Sequence, residues 1–521
     1  MTSSSTSTTN PNKILIVSSD LPSHTYACVK LATVLAEEHD VTVAGPNGMA
    51  LRRLQAETNK YNASALTKRT IECISIGDVS RPCLAAQRPV VNPQDYSPLQ
   101  IIFDTVFNRE YNPFCIANQF EQLMDDQVDT YENIRRILPN YDLVYAIHTA
   151  AGTVCDATES LNQEQAESVP PCIVFSSLPY NSGFFYKSLW KTPRSIVALP
   201  HVATYSSPSK VLQESSFFLV GLVSYLIQLF WMLLDSYHAE RAWKIAGKRT
   251  DIRRSGRGLT HVHDGMRYYW MNYPVLTFGG TQPFIAQGEP IADNATVVGS
   301  IRSAETSDLS RLEDWIERAN VSKIVYASFG TGTQLSFAEA TNLAKLAISL
   351  ENTEYHLLLS LPKGSQERLL KVFDREICSK PTKFGDGFLE YKGGAFRIDN
   401  NVPQENLLLS NRVEVFISHM GFGGYAEAVH GGVPFVAYPA GCDQWSNAER
   451  AVEAGIAVKA KPLMENLDIT VQDTINNKPM RKRSHQLAFN SANFDSNKII
   501  LDMVDEFCGG PALLKGSDST V

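Results

Sequence analysis

The stretch Phe416–Ile456, FISHMGFGGYAEAVHGGVPFVAYPAGCDQWSNAERAVEAGI, constrains the fold of this chain more than any other. The apolar run Val415-Phe416-Ile417 reads as a buried strand. It ends at His419, and a turn with Gly421, Gly423 and Gly424 leads into a helix pattern that carries Glu427 one turn in. A second apolar strand, Val433–Tyr438, leads on to Asp443 and Gln444. A glycine turn between a strand and a helix N-terminus is an anion site, because unpaired backbone N–H groups and the helix dipole point at the same spot. His419 adds a donor there, and Gly423 and Gly424 let the backbone approach a phosphate closely. Glu427, Asp443 and Gln444 offer acceptors for sugar hydroxyls. The arrangement suits a nucleotide diphosphate that carries a sugar.

The remainder of the chain sets the frame for that site. At 521 residues it is too long for one ordinary core, so two domains are expected. A formal net charge of -8 implies no broad basic face, which argues against nucleic acid as a partner. Arg481-Lys482-Arg483 reads as a solvated helix end or loop. The nine cysteines are scattered, without zinc spacing, and read as reduced, mostly buried thiols of a cytoplasmic protein. No metal is expected. The polar N-terminus MTSSSTSTTNPN lacks the apolar core of a signal peptide.

Lys13–Ser18 is a buried first strand, followed by LPSHTYAC as a loop, a helical pattern over Val29–Glu38 and a second strand at Val41–Ala44. This β–α–β order predicts a parallel, doubly wound α/β sheet. Asp142–Ala146 and Cys172–Phe175 read as further strands, with a helix over Thr153–Leu161 between them. Lys323–Phe329 starts a second doubly wound domain, Tyr355–Ser360 continues it, and Asn497–Phe507 reads as a last helix. The run 215–234, SSFFLVGLVSYLIQLFWMLL, has no charge. By length it is a membrane candidate, yet Glu214 and Asp235 flank it, so it reads as a buried helix or one that docks on a membrane surface.

Pro403-Gln404, His419, Gly421, Gly424, Glu427, Gly432-Val433-Pro434, Asp443-Gln444 and Asn447 follow one another in an order and spacing that resembles the donor signature of the family 1 UDP-dependent glycosyltransferases. That resemblance implies the GT-B fold, two Rossmann-like domains facing a cleft. It implies a tail over 1–11, an acceptor domain over 12–290, a linker over 291–320, a UDP-sugar domain over 321–490, a helix over 491–508 packing back on the first domain, and a tail over 509–521. It implies UDP-sugar as co-substrate, no cofactor, and a hydrophobic small-molecule acceptor. His419 is then expected at the α-phosphate and Thr331 at the β-phosphate. Val402 and Gln404 belong to the nucleotide site, Glu427 to the ribose, and Asp443 and Gln444 to the hexose. Relatives carry a tryptophan two residues before the Pro-Gln pair to stack on uracil. Asn401 stands there, so Phe396 or Phe329 is expected to compensate.

Glycosyl transfer to a hydroxyl needs a general base. His24, in the loop after the first strand, is the candidate, since α/β sheets bind ligands at strand carboxyl ends. It matches the family's histidine in a Gly-His pair, although Ser23 replaces the glycine. The aspartate that pairs with this histidine in many relatives falls here on Ile147 or His148, and His148 is the second catalytic candidate. The loss of that carboxylate implies slower chemistry or a more acidic acceptor. Phe184, Phe185 and Trp190 are expected to line the acceptor pocket. These aromatics favour a flavonoid or other phenol, with sterols or lipids at a membrane surface as the alternative. A protein that binds a nucleotide sugar without transferring it is the competing class. A dehydrogenase is disfavoured, because SSDLPSHTYA after the first strand has no glycine fingerprint.

Overall fold

The run Lys13–Val17 (β1) is buried from Ile14 onward, with side chains enclosed on both faces, as a central parallel strand requires. The structure, a computed structural model, describes residues 11–19, 22–64, 69–78, 129–164, 169–179, 273–279, 284, 291–301, 309–330, 335–376, 382–384, 388–391, 394–399, 402–440 and 443–509. Around β1 stand β2 (Asp40–Asn47), β3 (Ile71–Asp78), β4 (Leu143–Ile147), β5 (Cys172–Pro179), β6 (Val275–Phe278) and β7 (Ala295–Val298). They form one parallel sheet in the order β3-β2-β1-β4-β5-β6-β7. The chain direction across the sheet reverses between β1 and β4. In doubly wound sheets the crevice for ligands opens at the carboxyl ends of two such strands.

The second sheet repeats the plan. It consists of β8 (Lys323–Ser328), β9 (Tyr355–Ser360), β10 (Thr382–Phe384), β11 (Phe388–Tyr391), β12 (Phe396–Ile398), β13 (Val413–Ser418), β14 (Phe435–Ala437) and β15 (Ala457–Lys459). The order is β10-β11-β12-β9-β8-β13-β14-β15, parallel from β12 through β15 with an antiparallel edge of β10 and β11. Its reversal lies between β8 and β13. The two sheets together make the α/β, two-domain Rossmann-like architecture expected from the sequence.

Several expectations need correction. Within LPSHTYAC, the residues Pro22–Cys28 are not a loop: the first helix spans Pro22–Leu35 and contains His24. Proline is tolerated in a first helical turn, where its missing N–H has no partner to lose, so Pro22 opens the helix instead of delaying it. Residues 291–320 are more than a linker. They supply β7 to the first sheet and the helix Ser310–Arg318, whose Leu312 and Trp315 pack in the second domain's core. Phe284, assigned by sequence to the first domain, is fully buried in that same second core. Arg481, Lys482 and Arg483 lie in the first two turns of the helix Lys478–Ala492 and are not only solvated: Arg481 pairs with Glu414 and Arg483 donates to the Ala454 carbonyl.

The last helix, Ser496–Cys508, packs its Ile500, Met503 and Val504 into the core of the first domain. The run 215–234 lies outside the described residues. No helix among the described residues is long and apolar enough to cross a membrane.

Candidate active site

At the first reversal, the chain leaves β1 as Ser18-Ser19 and leaves β4 as His148-Thr149. Those two strand ends are neighbours, so their side chains meet. The Ser19 and Thr149 hydroxyls lie 2.7 Å apart, and Thr149 Oγ1 is 3.0 Å from Nδ1 of His24. Ser19 and Thr149 are buried. The His24 and His148 rings are tilted at 54° with centroids 4.7 Å apart. His148 is thus beside His24, and Thr149, one residue further on, holds Nδ1. Burial lowers the His24 pKa from 6.5 to about 4. Burial, and then the neighbouring His24, push His148 well below its ordinary value. Both rings are therefore neutral near pH 7, and His24 is free of a proton on one nitrogen.

At the second reversal, Phe329-Gly330 follow β8 and His419 follows β13. The His419 ring is wedged between the two backbones there. A Cβ on Gly330 would stand 2.7 Å from His419 Nε2, and one on Gly421 2.5 Å from it, so neither position admits a side chain without moving the ring. Gly330 also has φ +69, which favours glycine. Burial takes the His419 pKa to about 4. The turn behind it is held by two bonds: the Met420 N–H donates to Ser418 Oγ at 3.0 Å, and Asn447 Nδ2 donates to the Met420 carbonyl at 2.9 Å. Gly421 then caps the helix Phe422–Gly431, whose first turn holds Gly423 and Gly424. A Cβ on Gly423 would meet nothing within 4 Å, so this face of the helix entry opens on empty space. A Cβ on Gly424 would lie 3.2 Å from Gln404 Nε2.

The polar side chains behind that entry are already engaged. Gln404 opens the helix Gln404–Leu409 after Val402-Pro403; its Oε1 accepts from Tyr326 at 3.0 Å and its Nε2 donates to Glu427 at 2.8 Å. Glu427 is buried, and burial raises its pKa. Asp443 accepts from Asn447 at 2.8 Å, and burial raises it to about 6. Gln444 Oε1 accepts from the Ala440 N–H at 2.8 Å. Phe396 and Phe329, expected to stack on a base, are instead core residues. Both are fully buried; Phe396 stacks on Tyr391, and Phe329 meets Tyr438 edge-on. Thr331, Asn401, Phe184, Phe185 and Trp190 lie outside the described residues.

The two halves are joined through groups that periodicity did not single out. On the helix that carries His24, the Lys30 ammonium is 3.0 Å from Glu405 and 3.8 Å from Glu427, both in the second domain. Tyr26 donates to Glu405 at 3.3 Å. Phe422, at the entry of the second domain's site helix, packs against Phe278 of β6 at 4.9 Å and against Phe284 at 5.6 Å. Each such aromatic pair contributes about 0.5–1.5 kcal/mol beyond its area. The helix of the candidate base is thereby tied to the helices of the candidate donor site. Among the described residues, no group of His, Cys, Asp and Glu could hold a metal ion.

Two Rossmann-like domains meeting in this way define a GT-B protein. The profile of the family UDP-glucoronosyl and UDP-glucosyl transferase matches residues 284–488. UDP-glycosyltransferase 72C1 of Arabidopsis thaliana is 28% identical over 200 residues, 36% of this chain and 43% of that protein. The glycotransferase of kitacinnamycin superposes with a TM-score of 0.59 at 16% identity, covering 96% of this chain and all of the other. A UDP-glucosyltransferase from Polygonum tinctorium capable of glucosylating indoxyl gives 0.57 at 14% identity, covering 97% and 100%. The sequence matches span less than half the length of the curated relatives, whereas the fold matches run through both domains. Over residues 284–488 the chain is similar to the UDP-dependent glycosyltransferases, and through both domains it shares their GT-B fold.

Proposed function

We propose that this protein transfers a hexose, glucose in our reading, from UDP to a hydroxyl of a hydrophobic small molecule, with a flavonoid or other phenol as acceptor. The observation that carries the proposal is the pairing of a neutral, hydroxyl-held His24 at one sheet reversal with the His419–glycine helix entry at the other, tied together by Lys30. In this reading, His24 takes the proton from the acceptor hydroxyl. The acceptor oxygen attacks the anomeric carbon from the face opposite UDP, the bond from that carbon to the phosphate oxygen breaks, and configuration inverts. His419 and the N–H groups at the start of the helix Phe422–Gly431 stabilise the charge that collects on the diphosphate. Thr331 is assigned to the β-phosphate, Gln404 and Glu427 to the nucleoside, and Asp443 and Gln444 to the hexose.

The reading includes a cytoplasmic location and peripheral membrane contact through 215–234, which vesicle flotation tests. The test of the activity is acceptor-dependent UDP release from UDP-glucose with phenol and sterol acceptors, comparing wild type with His24→Ala. Release in wild type, with a hexose added to the acceptor by mass and a loss on the order of 10²–10⁴ in the variant, is the expected result. UDP binding without release on any acceptor in the panel would instead favour a protein that holds the nucleotide sugar and does not transfer it.

A further inference from the structure

A general-base histidine commonly has a carboxylate behind it, which does two separable things. It fixes the tautomer, and it stabilises the imidazolium as the proton arrives. Here Nδ1 of His24 meets the Thr149 hydroxyl, and behind that hydroxyl stands the Ser19 hydroxyl. Among the described residues no carboxylate bonds to His24. Its other close neighbour is the His148 ring. On its own helix, Tyr26 and Lys30 are turned to Glu405 of the other domain. Two neutral hydroxyls orient a ring as a carboxylate does, provided Nδ1–H donates to Thr149 and Thr149 donates to Ser19. They do not stabilise the positive charge that transfer creates.

We propose that Ser19 and Thr149 are positioning residues that hold His24 with its basic lone pair on Nε2, and that their neutrality confines the acceptor to molecules whose hydroxyl is already acidic, such as phenols and enols, over aliphatic alcohols. The proposal deepens the transferase reading and rests on it for the acceptor. In the transfer step, the acceptor O–H bond breaks as its proton moves to Nε2, while its oxygen forms the bond to the anomeric carbon and UDP departs with the electron pair. With a neutral hydroxyl on Nδ1 and no carboxylate bonded to the ring among the described residues, the protonated ring gains little, so the acidity of the acceptor must lower the barrier. In this reading the effect of Thr149 passes through His24.

The experiment uses the full chain with UDP-glucose and three acceptors of similar size but different acidity: 4-nitrophenol, phenol and benzyl alcohol. Wild type is expected to prefer the phenols over benzyl alcohol by about a hundredfold or more in kcat/KM, the scale of one general-base contribution. Thr149→Val, close in shape but without the hydroxyl, is expected to lose about ten- to a hundredfold on the phenols. Thr149→Ser is expected to retain wild-type rates, and Ser19→Ala to fall between. Thr149→Asp is expected to raise the rate on benzyl alcohol and narrow the preference. ¹⁵N spectra of the His24 ring read the tautomer without turnover, as Nδ1–H in wild type and a mixture in Thr149→Val. Equal rates on all three acceptors, or an unchanged tautomer and rate in Thr149→Val, would overturn the proposal. If wild type transfers to none of the three, the transferase reading and the acceptor part of this proposal fail together, and the ring spectra alone then decide the relay.

Discussion

Lys30 is the sharpest place to perturb this molecule, because one ammonium from the first domain serves two carboxylates of the second, at 3.0 and 3.8 Å. Its side chain is 12% exposed, and that of Glu405 is 6%. At an effective dielectric of about 20, each contact carries an attraction of roughly 4–6 kcal/mol before the cost of desolvating the charges. In Lys30→Met, a methionine of similar length takes the Lys30 charge away from the two buried carboxylates. Removing one partner of a buried pair typically costs about 3–5 kcal/mol. The loss has a ceiling, since a carboxylate can take up a proton. From an ordinary glutamate pKa of about 4.3, protonation costs about 4 kcal/mol near pH 7.5 and about 1.5 kcal/mol near pH 5.5. Glu427, already pushed upward by burial, is the group that takes the proton.

The sign follows. In the variant the folded state holds a proton that the unfolded state has released, so the stability of the variant falls as pH rises. The gap between wild type and Lys30→Met is therefore expected to widen with pH. For a domain of this size, about 3–4 kcal/mol corresponds to a midpoint about 6–16 °C lower near pH 7.5, and less than half of that near pH 5.5. Thermal unfolding of both proteins at the two pH values measures this. A gap that stays the same, or that narrows with rising pH, would refute the assignment of Lys30 as the counter-charge.

Other outcomes follow from the same geometry. Gly423→Ala adds a methyl that meets nothing in the protein and lies in a helix, so thermal stability is expected to hold or rise by about 0.5–1 kcal/mol, while UDP affinity by calorimetry falls about tenfold or more. Gly421→Ala drives a Cβ against His419 and is expected to lose about 1–3 kcal/mol of stability as well as UDP binding. With His24 lowered to about 4, kcat/KM is expected to stay level as pH falls to about 5 and to drop only below that; a break near 6.5 would contradict the burial of the ring. The unfolded chain binds more protons than the folded one at His24, His148 and His419, so thermal stability is expected to decline from about pH 6.5 to about 4; Asp443, raised to about 6, opposes this with a smaller gain.

Much of this was legible in the sequence where local chemistry decides structure. Apolar runs such as KILIV and YHLLLS are strands because a parallel sheet buries both faces. The glycine spacing after His419 carries its own explanation, since a Cβ at Gly421 would strike the ring. What stayed hidden was set by register and by distant partners. Ending β4 at Ala146 and not at Ile147 shifts the strand end by one residue, which draws attention to His148 and away from Thr149. Ser19 and Thr149 are 130 positions apart and become neighbours only through the pairing of β1 with β4. Lys30 looks like an ordinary helix charge until the second domain supplies Glu405 and Glu427. Phe396 and Phe329 look available for stacking until the core closes over them.

The last helix also bears on how the chain is made. Ile500, Met503 and Val504 complete a core whose last strand, β7, ends at Val298, so about 200 further residues must be synthesised before that core can close. At about 5–20 residues per second, the first domain waits roughly 10–40 seconds with an apolar face open to other chains. A stop codon placed ahead of Ser496 would make that interval permanent. Such a product would keep every residue of the candidate site and still be expected to aggregate, and supplying Ser496–Cys508 in trans during synthesis would restore it.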